Sequence, residues 1–170
     1  MRVAVTGTPG TGKTTVTERL RTDLEVIHLN DLVREDSEAL STGEDPDRGS
    51  LVVDLEAVAD RLAGRDDILV ESHLAHHLDV DRVIVLRCHP DSLRERLRER
   101  GADEAKVDEN AEAEALDVIL SEAVASHGLE RVYEIDTNDR HPDDVAADVE
   151  AALNDDRAPS AGEVDFTDVL

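Results

Sequence analysis

The chain has 170 residues, enough for one domain with a buried core and short for two. Forty-two acidic against eighteen basic residues give a net charge of −24, with one tyrosine, one phenylalanine and no tryptophan. This excludes direct nucleic-acid binding, which needs basic stripes or aromatic platforms; the lone Cys88 excludes a disulfide framework or zinc ribbon, and no apolar run is long enough for a membrane span.

High charge with few aromatics is also a mark of disorder, but the apolar residues here are strongly periodic. The composition therefore reads as a folded protein with a densely acidic surface, of the kind halophilic proteins use. A cytoplasm rich in potassium chloride screens the self-repulsion, which at ordinary salt reaches over a Debye length of about 10 Å. The first residues enter a strand-like run without a signal-peptide pattern, so a cytoplasmic location is expected. A basic protein partner is compatible with the charge.

Short apolar runs at 3–5, 25–28, 68–71, 82–86 and 132–135 predict five strands. Helix-period stretches lie between them, at 13–23, 31–40, 53–63, 90–100, 106–126 and 142–153. This alternation predicts an α/β domain, a doubly wound five-stranded parallel sheet covered on both faces. Pro90 and Pro142 suit first helical positions, and Gly64, Gly101 and Gly128 suit helix ends. The polar stretch 41–50 (STGEDPDRGS) reads as a mobile loop. The acidic tail 154–170 has little periodicity and is expected to be disordered or loosely attached.

Residues 7–14, GTPGTGKT, fit G-x-x-x-x-G-K-[ST] in full, after a strand and at the start of a helix. Gly7, Gly10 and Gly12 let the backbone curl so that its N–H groups point at phosphate oxygens. Lys13 would reach the β- and γ-phosphates of ATP, the Thr14 hydroxyl would ligate Mg²⁺, and Thr15 would lie near the α-phosphate. Glu71 ends the third strand, where ligands of open α/β sheets bind, so it points toward the magnesium or is an ordinary strand-end carboxylate. His73, His76 and His77 follow; they share a face if helical, which leaves a zinc site open, but with no further Cys or His cluster most of them read as surface or packing histidines, His73, two residues from Glu71, being the exception. Arg94, Arg96, Arg98 and Arg100 punctuate the helix at 90–100, with Arg96 and Arg100 on one face. Followed by Gly101 and a charged segment, they read either as a solvated face or as a lid closing over a phosphoryl group. Arg87 ends the fourth strand and either faces the site or partners an acid.

With these residues in place the chain resembles the adenylate kinases, and more narrowly the adenylate kinase isoenzyme 6 family in an archaeal form. The stretches that carry the likeness are TGTPGTGKTT, LNDLVRE, ILVESH, VIVLRCHPDSLRERLRERG and VDENAEAEALDVI, within residues 1–153. The resemblance implies a P-loop nucleoside monophosphate kinase-like fold, with a monophosphate-binding segment at about 30–53 and a short lid at about 99–109. It implies that Arg34 holds the AMP phosphate and Arg100 contacts ATP from the lid. Glu71 and His73 would serve magnesium and water positioning, and the loop 137–142, with Arg140 or His141, would cradle adenine. Members also act as ATPases in small-ribosomal-subunit maturation, bound to a ribosomal protein. The chain departs in having Glu71 where many members have Asp. It also carries Asp108, Glu109, Glu112 and Glu114 where ordinary adenylate kinases place further arginines. Modest kinase turnover and prominent ATP hydrolysis are therefore expected.

Overall fold

The computed structural model describes residues 1–170. The strands β1 (Arg2–Thr6), β2 (Glu25–His28), β5 (Ile68–Glu71), β6 (Arg82–Arg87) and β7 (Val132–Asp136) form one parallel sheet in the order β2-β5-β1-β6-β7. Successive side chains of a strand point to opposite faces, and β1 shows this directly. Val3 and Val5 join a core with Leu69, Ile84 and Leu86, while Ala4 joins Val70, Val83 and Val85 on the other face.

The first face is covered by Val16 of α1 (Lys13–Thr17) and by Val145, Ala146, Val149 and Ala152 of α8 (Pro142–Leu153). The second is covered by α2 (Leu29–Glu35), α3 (Ser37–Leu40), α4 (Leu55–Arg61) and α7 (Val118–His127), through Leu29, Val33, Leu40, Val58, Leu120 and Ala123. A smaller cluster of Cys88, Leu93, Leu97 and Val107 joins α5 (Pro90–Glu99) to α6 (Glu104–Ala115). No helix is long and apolar enough to cross a membrane.

Four departures from the sequence expectations have local causes. Helix α1 stops at Thr17, not near residue 23. Its last residues are β-branched, and the Thr17 hydroxyl bonds back to the carbonyls of Lys13 (2.9 Å) and Thr14 (3.1 Å), competing with further helix. The helix expected over 106–126 breaks into α6 and α7 at Asp117, whose φ of 54° is left-handed. Arg87 Nη2 takes both the Glu114 carbonyl (3.1 Å) and the Asp117 carboxylate (2.5 Å) at the break.

The stretch expected to be a mobile loop contains β3 (Ser41–Glu44), which pairs antiparallel with β4 (Leu51–Val53). The Asp45 carboxylate closes the turn by accepting from the N–H groups of Asp47 and Arg48.

The tail 154–170, expected to be disordered or loosely attached, lies against β7. Ser160 and Phe166 are buried, and the Glu134 carboxylate of β7 accepts from the backbone N–H groups of Gly162, Glu163 and Val164.

Candidate active site

The glycine-rich loop joins β1 to α1 at the carboxyl end of the sheet. Gly7 has φ +145°, and a Cβ there would stand 2.5 Å from the Leu86 carbonyl oxygen of the neighbouring strand, so no larger residue fits. Gly10 has φ +95° and lies under Leu93 and Leu97 of α5. Lys13 is buried and its Nζ donates to the carbonyls of Gly7 (2.8 Å) and Thr8 (3.2 Å). Burial pulls its pKa down to about 8; Arg100 adds to the shift, and Glu71 and Glu114 oppose it. An ammonium held only by neutral carbonyls in a buried loop is a ready partner for a polyanion, because charge-assisted bonds to phosphate are stronger.

Glu71 ends β5 and is buried. Parallel register sets it beside Val5 of β1 and His28 of β2. Its Oε2 is 3.4 Å from the Thr14 hydroxyl and 2.8 Å from His28 Nδ1. A hydroxyl and a carboxylate meeting at the end of the phosphate loop form an oxygen donor set of the kind magnesium takes, so the residues present fit that ion.

Three openings meet here in a row. A cavity of about 250 Å³ is lined by Gly10, Thr11, Gly12, Thr15, Val16, Arg96, Arg100, Thr137, Arg140, Pro142 and Val145. A second, of about 150 Å³, is lined by Pro9, Gly10, Gly12, Lys13, Thr14, Asn30, Glu71, His73 and Arg100. A groove of about 730 Å³ follows, with Asn30, Val33, Arg34, Arg48, Leu51, His73 and Lys106 in its wall. Arg100 belongs to the first two openings, and Asn30 and His73 to the last two. The line thus runs from a slot with Arg96, Arg100 and Arg140 beside Val16 and Val145, past the phosphate loop, to a larger and more apolar groove that carries the cations Arg34, Arg48 and Lys106.

The structure divides the arginine-rich helix. Arg94 pairs with Asp91 and Asp108, and Arg98 with Glu104, which makes them a solvated face. Arg96 and Arg100 line the slot, and neither forms an ion pair. Arg96, which the sequence reading left undecided, reaches toward the Gly10 carbonyl (3.5 Å) and the Thr137 hydroxyl (3.4 Å). Arg140 lines the slot while paired with Asp148 (2.8 Å). Arg34 is exposed at the groove, only loosely held by Asp31 (3.9 Å).

Of the two readings of Arg87, substrate-facing residue or partner of an acid, the structure rejects the first and shows the second. Arg87 does not face the openings; it is 1 % exposed and is bonded to Glu114 (2.9 Å), Asp117 and Glu134. Burial works against its charge, yet the carboxylates hold its pKa above the ordinary arginine value. Glu114 is buried as well, not a surface substitute for an arginine. Its Oε2 accepts from the Thr8 hydroxyl of the phosphate loop (2.5 Å), and its Oε1 from the Cys88 N–H (3.0 Å). Sequence reasoning also missed His28; like Glu71, it stands at the carboxyl end of a strand, which is the signal that could have found it.

The histidines are divided too. His73 faces the middle opening, whereas His76 and His77 lie on a separate 3-10 turn, Ala75–His77. Burial pushes His73 from its ordinary 6.5 down to about 4, and the charges of Lys13, His76 and His77 add to this. Between pH 6.5 and 4 the unfolded chain takes up a proton at this residue that the folded chain does not. The stability His73 permits is therefore full above pH 6.5 and is lost as pH falls toward 4. Unfolding of the nucleotide-free chain and of His73→Gln across this window is expected to show a shallower fall for the variant; parallel curves would disprove the assignment.

A family model described as an AAA domain matches residues 3–117. A relative from Natronomonas pharaonis named "Putative adenylate kinase" is 64 % identical over the full length of both chains. One of the same name from Halobacterium salinarum is 63 % identical, again over both full lengths. Among solved structures, shikimate kinase from Acinetobacter baumannii in complex with shikimate superposes with a TM-score of 0.65. It is 16 % identical and covers 92 % of this chain and 94 % of its own; this likeness is one of fold, that of the P-loop kinases. The residues at the phosphate loop and the full-length identity agree, and the chain belongs to this AAA-domain family of archaeal adenylate kinase-like proteins.

Proposed function

We propose that the chain is an adenylate kinase of the isoenzyme 6 type, transferring the γ-phosphate of ATP to AMP to give two ADP. The observation that carries this is the row of three openings, with the phosphate loop in the middle and a groove on either side. Two grooves converging on one phosphate site suit two nucleotides that exchange a phosphoryl group, a reaction that needs positioning and charge stabilisation more than covalent chemistry. The slot beside Val16, Pro142 and Val145 takes adenine, with Arg140 at its rim, and Gly10, Gly12 and Thr15 follow the phosphates. Lys13, Arg96 and Arg100 stabilise charge on the transferring group. Arg34 holds the AMP phosphate in the far groove, and His73 positions the acceptor between the two.

Magnesium, when bound with ATP, would neutralise phosphate charge, held by Thr14 and Glu71.

An ATPase activity accompanies the kinase, favoured by the acids Asp108 and Glu109 on the lid-side helix α6, where extra phosphate clamps are absent. A net charge of −24 suits a basic partner such as a small-subunit ribosomal protein for that activity.

The test is ADP formation from ATP with and without AMP, in magnesium and molar potassium chloride. Strong stimulation by AMP is expected, with Arg34→Ala raising the KM for AMP far more than that for ATP. Equal rates with and without AMP would reject the kinase and leave the ATPase.

A further inference from the structure

Between the Ala75–His77 turn and α7, outside the residues that line the three openings, lies a cluster that nucleotide chemistry does not use. His76, His77 and Glu122 each offer a ligand atom, and these atoms all lie within 4.8 Å of one another. We propose that His76 Nε2, His77 Nε2 and a Glu122 carboxylate oxygen form a binding site for a zinc-class transition dication.

The separations suit this. Nitrogen and oxygen ligands at about 2.0–2.1 Å from zinc stand roughly 3.4 Å apart in a tetrahedron. Glu122 Oε2 is 2.9 Å from His76 Nε2 and 3.9 Å from His77 Nε2. The two rings lie against each other, with centroids 4.1 Å apart and planes tilted by 39°, so that both edges serve one oxygen. Two imidazoles and a carboxylate are a borderline donor set, suited to zinc, cobalt or nickel rather than to magnesium.

The support around the ligands is also that of a metal site. His76 is buried, and its other ring nitrogen, Nδ1, is 2.9 Å from the Thr6 hydroxyl. A donated Nδ1–H at that contact leaves Nε2 with a free lone pair toward the ion, the outer-shell arrangement typical of ligating histidines. The His76 carbonyl is fixed in turn by His127 Nε2 at 2.7 Å. His77 and Glu122 are 35 % and 47 % exposed, which gives the ion a path in and room for water in its remaining positions. Both rings thus already face one carboxylate oxygen, so the ligand atoms are brought together before an ion binds. Thr6 immediately precedes Gly7, so an ion here sits one hydrogen bond from the strand that enters the phosphate loop.

The experiment uses the full metal-free chain in molar potassium chloride, with excess magnesium to compete at the Thr14–Glu71 position and no nucleotide, and the Glu71→Gln variant separates that position from the proposed one. Cobalt(II) is titrated while the visible absorption is followed, and zinc is then added in competition. One equivalent of cobalt is expected to give a ligand-field band that zinc removes, with a rise in the thermal midpoint because the ion binds the folded state. His77→Ala and Glu122→Gln, both at exposed positions, are each expected to weaken uptake at least about tenfold. Glu71→Gln is expected to leave the band in place. Absence of the band up to millimolar cobalt overturns the site, as does unchanged cobalt affinity in either His77→Ala or Glu122→Gln.

Discussion

Replacing Lys13 by alanine is expected to lower ATP turnover by about 10²–10³-fold while leaving the fold in place. The ammonium is the one cation inside the phosphate loop, and its pKa of about 8 still leaves it mostly charged at neutral pH. Arg96 and Arg100 reach the transferring phosphoryl group from α5 and its C-terminal end, so they share the developing charge but do not replace the cation that the loop itself supplies. Stability is expected to move little. The side chain's bonds to Gly7 and Thr8 oxygens contribute about 1 kcal/mol, and removing a buried charge offsets part of that. Turnover assayed beside thermal unfolding separates the two effects. A variant with near-normal turnover would show that the loop is not the reacting centre; an unfolded variant would show that Lys13 is structural.

The largest stability effect is expected at Arg87. Arg87→Met should cost about 3–5 kcal/mol, the range for removing one partner of a buried ion pair. The substitution leaves the Glu114 and Glu134 carboxylates buried without their counter-charge, at 3 % and 0 % side-chain exposure. It also frees the chain break at Asp117 and removes the guanidinium that lies 5.2 Å from the Phe166 ring. Arg34→Ala provides the contrast. Arg34 is 73 % exposed and held only at 3.9 Å, so its loss should stay within about 0.5 kcal/mol. Denaturant unfolding of both variants in molar potassium chloride measures the difference. A cost below about 1 kcal/mol at Arg87 would mean that the cluster relaxes or protonates without penalty.

Much of the fold was legible because period alone encodes it. All five sheet strands stand where apolar runs predict them, and α5 and α8 begin at their prolines. The phosphate loop was legible because its glycines are demanded by backbone geometry that no other residue meets, as at Gly7. What was not legible depends on partners distant in sequence. Arg87 sits at a strand end, and strand position does not say whether a side chain turns to the cleft or to a helix; Glu114 and Glu134, 27 and 47 residues away, decide it. The break at Asp117 is set by the same arginine and leaves no mark in helix propensity. The face shared by Arg96 and Arg100 was readable from their spacing, but its direction was not. In the β3–β4 hairpin β3 is polar and largely exposed, and β4 is apolar but only three residues long, too short for its alternation to reveal a strand.

The packed tail has a consequence for the molecule among its copies. β7 is one of the two edge strands of the sheet, β2 being the other, and an open strand edge is a template for pairing with another chain. Here that edge is already taken. Ser160 N–H donates to the Val132 carbonyl (3.0 Å), and the Ser160 hydroxyl accepts from Glu134 N–H (3.0 Å) and donates to the Glu134 carbonyl (3.1 Å). In molar salt the Debye length shrinks to about 3 Å, so surface charge no longer holds molecules apart at a distance. A geometric cap on the exposed ladder works at any ionic strength, and residues 154–170 thereby keep the β7 edge from accepting a strand of another copy.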